Sequence, residues 1–265
     1  MCQLLGMSCK EPATINFSLE GFTARGGLTD EHKDGWGIAF FEKNNWQVYV
    51  DHNPAAHSPL IEHIKSQQIK SRTILAHIRK ATVGDVQLRN CHPFKRTLWG
   101  LDWIFSHNGD LKNFAPELNG SFKPDGETDS EFAFCYILQR LEALLPNASA
   151  ENLPDAKDLH HILAQLSSEI ATFGVFNIML SNGQILFTYC STSLAYVKRK
   201  YPFTRATLID REMSIDLSAH NTHVDEMILI ATKPLTRDES WIVYQAGESL
   251  LFSHGELLLG SHVSF

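Results

Sequence analysis

The chain has 265 residues, of which 43% are hydrophobic and 20% charged, a balance typical of a folded globular protein. Its net charge is −7, and its one basic cluster, residues 198–200, fits a solvated strand end better than a nucleic-acid contact. No apolar stretch approaches the roughly 18 residues that cross a bilayer, and no basic segment leads into a signal-type apolar core. We therefore expect a cytoplasmic protein that binds neither nucleic acid nor membrane.

The cysteines and histidines do not form a disulfide or metal pattern. The cysteines are odd in number, widely spaced and without a CxxC pair (Cys2, Cys9, Cys91, Cys135 and Cys190). The 13 histidines show no HExxH or comparable ligand spacing. We expect reduced thiols, no metal and no cofactor.

Hydrophobic periodicity predicts groups of strands that alternate with groups of helices. In the first half it predicts a strand over residues 2–7, a helix over 15–24, a hairpin of 38–41 and 46–50, a helix over 59–69, and strands over 73–76 and 103–105. Helices follow from about 128 to 145 and over 155–171, and then short strands over 176–180, 184–188, 195–197, 227–231, 241–244 and 250–252.

Nothing in this order marks a domain boundary. No internal repeat, low-complexity tract or linker-like composition interrupts the chain. We therefore predict one α/β domain over residues 1–265, in which two hairpin-rich sheets are covered by two pairs of helices.

The second residue is a candidate nucleophile. If Met1 is removed, the chain begins with Cys2, whose thiol and free α-amine share one carbon. A thiolate is a strong nucleophile, and an α-amine with a pKa of about 7.7–8.0 can accept its proton near neutral pH. Any chain can carry a cysteine at this position, so the hypothesis depends on residues further along.

Polar residues are expected to follow two of the predicted strands in loops. Arg79 comes after the strand at 73–76, where a guanidinium can bind a carboxylate with two parallel hydrogen bonds, although a structural ion pair is the commoner role. Asn108 and Gly109 follow the strand at 103–105. A carboxamide beside a glycine N–H can form an oxyanion hole, but Asn-Gly is also a frequent turn pair.

A third polar loop leads into the helix that begins near residue 128. Thr128 and Glu131 have capping-box spacing, which accounts for both without any function. Asp129 is not explained in this way. It could interact with the helix dipole, or it could bind an ammonium group of a substrate.

The order of these residues resembles that of class II glutamine amidotransferases. The matching segments are Cys2, 25–26, 34–37, 77–79, 90–93, 107–109 and 128–131. The family consists of N-terminal nucleophile hydrolases, and the resemblance implies a four-layer αββα sandwich. Residues 231–236, with Trp241 nearby, are similar to the closing region of its stand-alone, YafJ-like branch.

The resemblance implies a role for each matching residue. Cys2 would attack the side-chain amide carbon of glutamine, with its α-amine as base and then as acid. Asn108 and the Gly109 N–H would stabilise the oxyanion. Arg79 would bind the α-carboxylate and Asp129 the α-ammonium of the substrate. A thioester would form, and water would release glutamate.

Further residues near the nucleophile follow from the same resemblance. Arg25 and Gly26 would shape the wall of the substrate site. His77, Thr82 and His92 would surround the residues that touch the substrate.

The substrate and the fate of ammonia stay open, because no domain for an ammonia acceptor is evident. The protein is expected to act either on glutamine, with an ammonia-accepting protein partner, or as a simple hydrolase of γ-glutamyl amides such as glutathione-like or hercynine-derived compounds. A non-catalytic subunit that binds a γ-glutamyl metabolite is the alternative if Met1 is retained. A thiol hydrolase built on Cys91 and His92 is a third possibility, which the adjacency of the two residues makes unfavourable.

Overall fold

The computed structural model describes residues 2–82 and 84–262. Its strands are β1 (Gln3–Ala13), β2 (Trp36–Glu42), β3 (Asn45–Asp51), β4 (Ser71–Ile78), β5 (Phe94–Leu98), β6 (Leu101–Leu111), β7 (Gly174–Ser181), β8 (Leu186–Cys190), β9 (Ala195–Lys200), β10 (Arg205–Thr207), β11 (Ser214–Asp216), β12 (Glu226–Ala231), β13 (Ile242–Val243), β14 (Glu248–Ser253) and β15 (Glu256–His262). The α-helices are α1 (Asn16–Ala24), α2 (Pro59–Ser66), α3 (Asp129–Leu144) and α4 (Ala156–Ala171).

The strands form two large antiparallel sheets and one short ribbon. The first sheet has the order β13-β9-β12-β1-β4-β2-β3, and the second has the order β15-β14-β8-β7-β6-β5. Strands β10 and β11 pair only with each other among the described residues. In the first sheet β1 lies between β4 and β12, and it runs antiparallel to both.

Strand β1 is apolar along most of its length because both of its faces are buried. Successive side chains of a strand point to opposite faces. Leu4 accordingly packs between the two sheets, whereas Leu5 packs in the core on the helix side of the first sheet. Gly6 faces the second sheet, where an added Cβ would lie 2.8 Å from the Met179 sulfur. A glycine at this point lets the two sheets approach closely.

Three apolar cores define four layers. One lies between the sheets, a second packs α1 and α2 on the first sheet, and a third packs α3 and α4 on the second sheet. The αββα sandwich expected from the sequence is therefore confirmed. Within the described residues, no helix has the length and apolar content needed to cross a membrane.

Several predicted boundaries were wrong. The first strand extends to Ala13 and the helix predicted over 59–69 ends at Ser66. Strands β5 and β15 were not predicted, because each lies at an edge of the second sheet and its pattern is too short or too mixed to stand out.

The largest difference concerns Asn108 and Gly109, which were expected in a loop after a strand. They lie inside β6, which continues to Leu111, and they pair with Asn177 and Phe176 of β7. The Asn-Gly pair is therefore not a turn. Pairing with a strand more than 60 residues away keeps this segment extended, and local sequence does not report such a partner.

The packing of α3 on the second sheet yields a stability prediction. Leu138 has 0% of its surface exposed and Leu144 has 49%, although both lie on the same helix. We expect Leu138→Ala to lower the free energy of unfolding by about 2–5 kcal/mol, because it leaves a cavity in the core. Leu144→Ala should change it by less than about 0.5 kcal/mol. Urea unfolding of both variants measures the difference, and equal losses would contradict the assigned packing.

Candidate active site

The site forms where three neighbouring strands of the first sheet begin or end together. Strand β1 begins at Gln3, directly after Cys2, and Gln3 pairs with Ile78 at the end of β4. On the other side of β1, Leu5 pairs with Ala231 at the end of β12. Antiparallel neighbours end where the central strand begins, so the residues after β4 and β12 lie at the same edge of the sheet as Cys2.

Cys2 is nearly buried, with 8% of its surface exposed. Its Sγ lies 3.3 Å from the backbone N and 3.5 Å from the backbone O of Lys80, so it can accept from one and donate to the other. Burial raises the pKa of this thiol, and the backbone hydrogen bond from Lys80 opposes that change. The thiol is therefore protonated near neutral pH, and nucleophilic attack requires a base close to it. The predicted removal of Met1 concerns a residue outside the described part of the chain.

The backbone around Lys80 is held by the first half of the Asp34-Gly35-Trp36-Gly37 motif. The Asp34 carboxylate accepts the Ala81 N–H at 2.8 Å, and the Gly35 carbonyl accepts the Arg79 N–H at 2.8 Å. Gly35 has a φ of +111°, a conformation that side chains disfavour. The motif thus fixes the surface against which the thiol rests.

Arg79 lies immediately after β4 and is 4% exposed. Its guanidinium donates to the carbonyls of Gly84 and Asp85 at 2.9 and 3.0 Å, and these hydrogen bonds fix the position of its positive charge beyond the end of β4. The charges of Arg79 and Asp129 both act on the pKa of Cys2, the first lowering it and the second raising it. The candidate nucleophile is therefore within electrostatic range of both a cation and an anion.

The carboxamide of Asn108 reaches this edge from the second sheet. Its Nδ2 lies 3.3 Å from Thr232 Oγ1, its backbone carbonyl accepts a hydrogen bond from Asn177, and its Oδ1 is buried with no hydrogen-bond partner among the described residues. A Cβ on Gly109 would lie 1.7 Å from the Val175 carbonyl oxygen. Any residue other than glycine would therefore force β6 and β7 apart.

Three buried histidines support the strand that carries Asn108. His77 donates through Nε2 to the carbonyl of His107 at 3.1 Å, and the His77 and His92 rings lie 4.1 Å apart. His107 donates through Nε2 to the Val175 carbonyl, which leaves Nδ1 to accept from Ser130 at 2.8 Å. Burial lowers the pKa of His77 to about 3 and lowers those of His92 and His107. These rings are neutral supports at physiological pH.

Asp129 is the first residue of α3. Thr128 caps the helix by accepting the Glu131 N–H at 3.2 Å, as the sequence indicated. The Glu131 carboxylate, however, binds Arg96 and two loop N–H groups, so the second half of the capping box is absent in the described structure. The Asp129 carboxylate accepts the Leu111 N–H at 2.7 Å through Oδ2. An ionised carboxylate has about four acceptor positions, so it can also bind an ammonium group.

Arg25 is buried, and its guanidinium is directed into the protein. Its partners are the side chains of Asp210 and Gln3 and the backbone carbonyls of Lys233 and Pro234. An added Cβ on Gly26 would lie 2.6 Å from the Ala55 Cβ. Arg25 thus joins Gln3, the residue after Cys2, to the segment that follows β12, whereas Gly26 packs against Ala55.

Sequence reasoning missed two polar residues of this region. Thr232 joins the beginning of β1 to Asn108, and Asn177 holds the Asn108 backbone from β7. Thr232 lies in the segment 231–236, which is part of the family resemblance, so the resemblance could have pointed to it. Asn177 stands alone in an apolar strand and gave none.

The buried histidines make stability depend on pH. An unfolded histidine has a pKa near about 6.5. Because the pKa of His77 in the folded state is about 3, the unfolded state binds the proton first as the pH falls. The contribution of the neutral His77 ring to the free energy of unfolding is therefore complete above about pH 6.5. It is lost progressively toward pH 3, at about 1.4 kcal/mol per pH unit for one histidine.

We expect His77→Gln, which keeps an N–H donor for the His107 carbonyl, to remove one such contribution. Chemical unfolding between pH 4 and pH 7 should then show a shallower loss of stability in the variant than in the wild type. Identical slopes would indicate that His77 binds its proton at the same pH in the folded and the unfolded protein.

Comparison with known proteins shows the family to which this chain belongs. The sequence profile of "Glutamine amidotransferases class-II" matches residues 1–264. A protein of Haemophilus influenzae named as a candidate glutamine amidotransferase is 43% identical over 256 residues, which cover 97% of this chain and 85% of the relative. YafJ of Escherichia coli, with a name of the same kind, is also 43% identical, with 97% and 99% covered.

A solved structure agrees with these relatives. The 2.0 Å crystal structure of a predicted glutamine amidotransferase from Pseudomonas aeruginosa is 37% identical and superimposes with a TM-score of 0.74, covering 97% of this chain and 100% of that one. The αββα sandwich is thus of the N-terminal nucleophile hydrolase type. From its profile match, its relatives and its fold, the chain belongs to the class II glutamine amidotransferase family.

Proposed function

We propose that the protein hydrolyses a γ-glutamyl amide through a thioester on Cys2 and releases glutamate together with ammonia or an amine. The observation that carries the proposal is the position of the Cys2 thiol. It rests on the Lys80 backbone, and the charges of both Arg79 and Asp129 act on its pKa.

The chemistry begins with removal of Met1, which frees the α-amine of Cys2. That amine takes the thiol proton, and the thiolate attacks the amide carbon, so that a C–S bond forms and negative charge moves to the carbonyl oxygen. Asn108 and the Gly109 N–H stabilise this oxyanion. The C–N bond then breaks, and the protonated α-amine gives its proton to the leaving nitrogen.

The thioester is resolved by the same groups. The α-amine, now neutral, accepts a proton from water as the water attacks the thioester carbon. The second tetrahedral oxyanion occupies the same hole. Collapse expels the Cys2 thiolate, which recovers its proton, and glutamate leaves the site.

The charges beside the thiol match the glutamyl half of the substrate. A guanidinium binds a carboxylate through charge-assisted hydrogen bonds, and a carboxylate binds an ammonium group in the same way. We assign the α-carboxylate to Arg79 and the α-ammonium to Asp129. Arg25, Gly26 and His77 complete the wall and the support of this part of the site. Since every γ-glutamyl amide shares this half, the assignment leaves the amine half of the substrate free to vary.

The structure does not favour a thiol hydrolase at Cys91 and His92. Cys91 Sγ lies 3.5–3.6 Å from the carbonyls of Gln87 and Asp51, and burial raises its pKa to about 11. The His92 ring instead packs against His77 and Phe94, at 4.1 and 4.4 Å between ring centroids. The two side chains thus make separate structural contacts.

The first test compares two cysteines of the same segment. We expect Cys2→Ala to reduce glutamate release from glutamine, glutathione and other γ-glutamyl amides to the background rate. Cys9→Ala should keep activity within about threefold of the wild type, because Cys9 packs in the helix-side core of the first sheet and takes no part in the chemistry.

Intact mass of each purified protein shows whether Met1 has been removed. A Cys2→Ala variant that releases glutamate at the wild-type rate would contradict the proposal. Specific binding of γ-glutamyl compounds without turnover, by a protein that retains Met1, would instead support the non-catalytic binding subunit.

The second test concerns the oxyanion. Loss of one oxyanion donor lowers kcat by about 10²–10³, or about 2.7–4 kcal/mol of transition-state stabilisation. We expect Asn108→Ala to behave in this way, with a smaller effect on KM. Asn182→Ala is the matched control, since Asn182 is also a buried asparagine, but its side chain accepts only the N–H groups of residues 184 and 185 within the described part of the chain. An unchanged kcat in Asn108→Ala would remove Asn108 from the reaction.

A further inference from the structure

We propose that Thr232 is the residue that directs the Asn108 carboxamide, with its N–H toward the reacting carbonyl and its oxygen toward the Thr232 hydroxyl. The proposal rests on the proposed function, because it assigns to Asn108 the role of oxyanion donor. It adds a positioning residue from the end of β12, which has no contact with the substrate in this assignment.

Thr232 is attached firmly to the strand that begins with the nucleophile. Its Oγ1 accepts the Leu4 N–H at 2.8 Å, and its own N–H donates to the Leu4 carbonyl at 3.1 Å. Leu4 is two residues after Cys2. The Thr232 hydroxyl therefore has a fixed position relative to the nucleophile, and it is buried with 4% exposure.

The contact between Thr232 and Asn108 leaves one atom of the Asn108 amide without a hydrogen bond among the described residues. Nδ2 lies 3.3 Å from Thr232 Oγ1, while Oδ1 is buried without a partner among the described residues. A buried amide oxygen without a hydrogen bond is costly. The nitrogen and oxygen of an asparagine amide have nearly the same shape, and their assignment follows from the hydrogen bonds available to them.

A half-turn of the amide removes this cost. Thr232 Oγ1 can accept from Leu4 and at the same time donate its own proton, because a hydroxyl has one donor and two acceptor positions. The rotated Asn108 Oδ1 accepts that proton. Nδ2 then takes the place of the unpartnered oxygen, and its free N–H groups are the ones that we assign to the oxyanion.

The surrounding network holds both residues in place from the second sheet. The Thr232 carbonyl accepts the Ser193 hydroxyl at 2.9 Å. Asn177 accepts three N–H groups of the loop that contains Ser193 and donates to the Asn108 carbonyl at 3.0 Å. The backbones of Thr232 and Asn108 are thus tied to one asparagine, so their side chains meet at a fixed distance.

This arrangement predicts a specific kinetic effect for Thr232→Val, which replaces the hydroxyl by a methyl group of similar size. The oxyanion exists only after attack, so a misdirected carboxamide should lower kcat and leave KM within about threefold. We expect a loss of about 10- to 100-fold in kcat, less than complete removal of an oxyanion donor causes. Thr232→Ser keeps the hydroxyl and should recover most of the activity.

Thr73→Val is the matched control. Thr73 is also 4% exposed, and it also joins the two sheets, because its hydroxyl donates to the Gly183 carbonyl. It pairs with Ser8, in the middle of β1 and six residues after Cys2. Thr73→Val should therefore lower thermal stability as much as Thr232→Val without lowering kcat. If Thr232→Val does not fold, Thr232→Ala takes its place.

A second measurement separates positioning from a general structural role. The Cys2 thiol adds across the C=O bond of the γ-aldehyde of glutamate, so that a C–S bond forms, the α-amine takes the thiol proton, and the resulting tetrahedral carbon carries its oxygen where the oxyanion would lie. Glutamate itself needs no oxyanion hole to bind. Inhibition by the aldehyde should weaken in Thr232→Val by about the factor lost in kcat, and inhibition by glutamate should stay within about threefold.

Three results would overturn the proposal. These are full kcat in folded Thr232→Val, equal weakening of aldehyde and glutamate, and a folded Thr232→Ser that is as slow as the valine variant. If the wild type releases no glutamate from any γ-glutamyl amide, the proposed function fails, which is a different outcome.

Discussion

The position of β1 between two antiparallel neighbours is the constraint on which the site depends. Strand β1 begins at the edge of the sheet where β4 and β12 end, so Cys2 lies beside the segment of Arg79 and Lys80, and Thr232 is held on the other side of β1 by Leu4. The apolar run of β1 is buried by both layers and holds this register, because a shift by one residue would turn every side chain to the wrong face.

Close approach of the two sheets supplies the other half of the site. Gly6 lets β1 lie against Met179, and Gly109 leaves no room for any side chain beside the Val175 carbonyl. These contacts bring Asn108 from the second sheet to the edge where the first sheet holds the thiol. Buried polar groups are then satisfied by each other, as in the contacts of His77 with His107 and of Asn177 with Asn108. Such a network fixes geometry before any substrate arrives.

Elements with strong local patterns were predictable from the sequence. The helix α4 has a clear apolar face, and the β2–β3 hairpin has two apolar runs around a polar turn. The predicted bounds of these elements therefore agree with the structure to within two residues. The layer architecture followed from the order of such elements together with the family resemblance. The resemblance also named Cys2, Arg79, Asn108 and Asp129 as a set.

What the sequence did not reveal depends on pairing across long distances. Asn108 and Gly109 look like a turn until β7 is known to lie beside them. Arg25 was expected in the wall of the substrate site, and the partners that fix its guanidinium come from residues 210 and 233–234, far along the chain. Arg199 was expected at a solvated strand end and is instead buried in a bidentate ion pair with Glu239. In each case the partner is nonlocal, and no local propensity encodes it.

The central claim is that Cys2 is the nucleophile of a site that recognises the γ-glutamyl group. A diazoketone analogue of glutamine, which alkylates a thiol held beside the γ-carbon, tests it most directly when peptide mass mapping follows. We expect one adduct, on an N-terminal peptide that lacks Met1 and begins with Cys2, and we expect excess glutamate to protect that thiol. An adduct on Cys91, or continued glutamate release after Cys2 has been fully labelled, would contradict it.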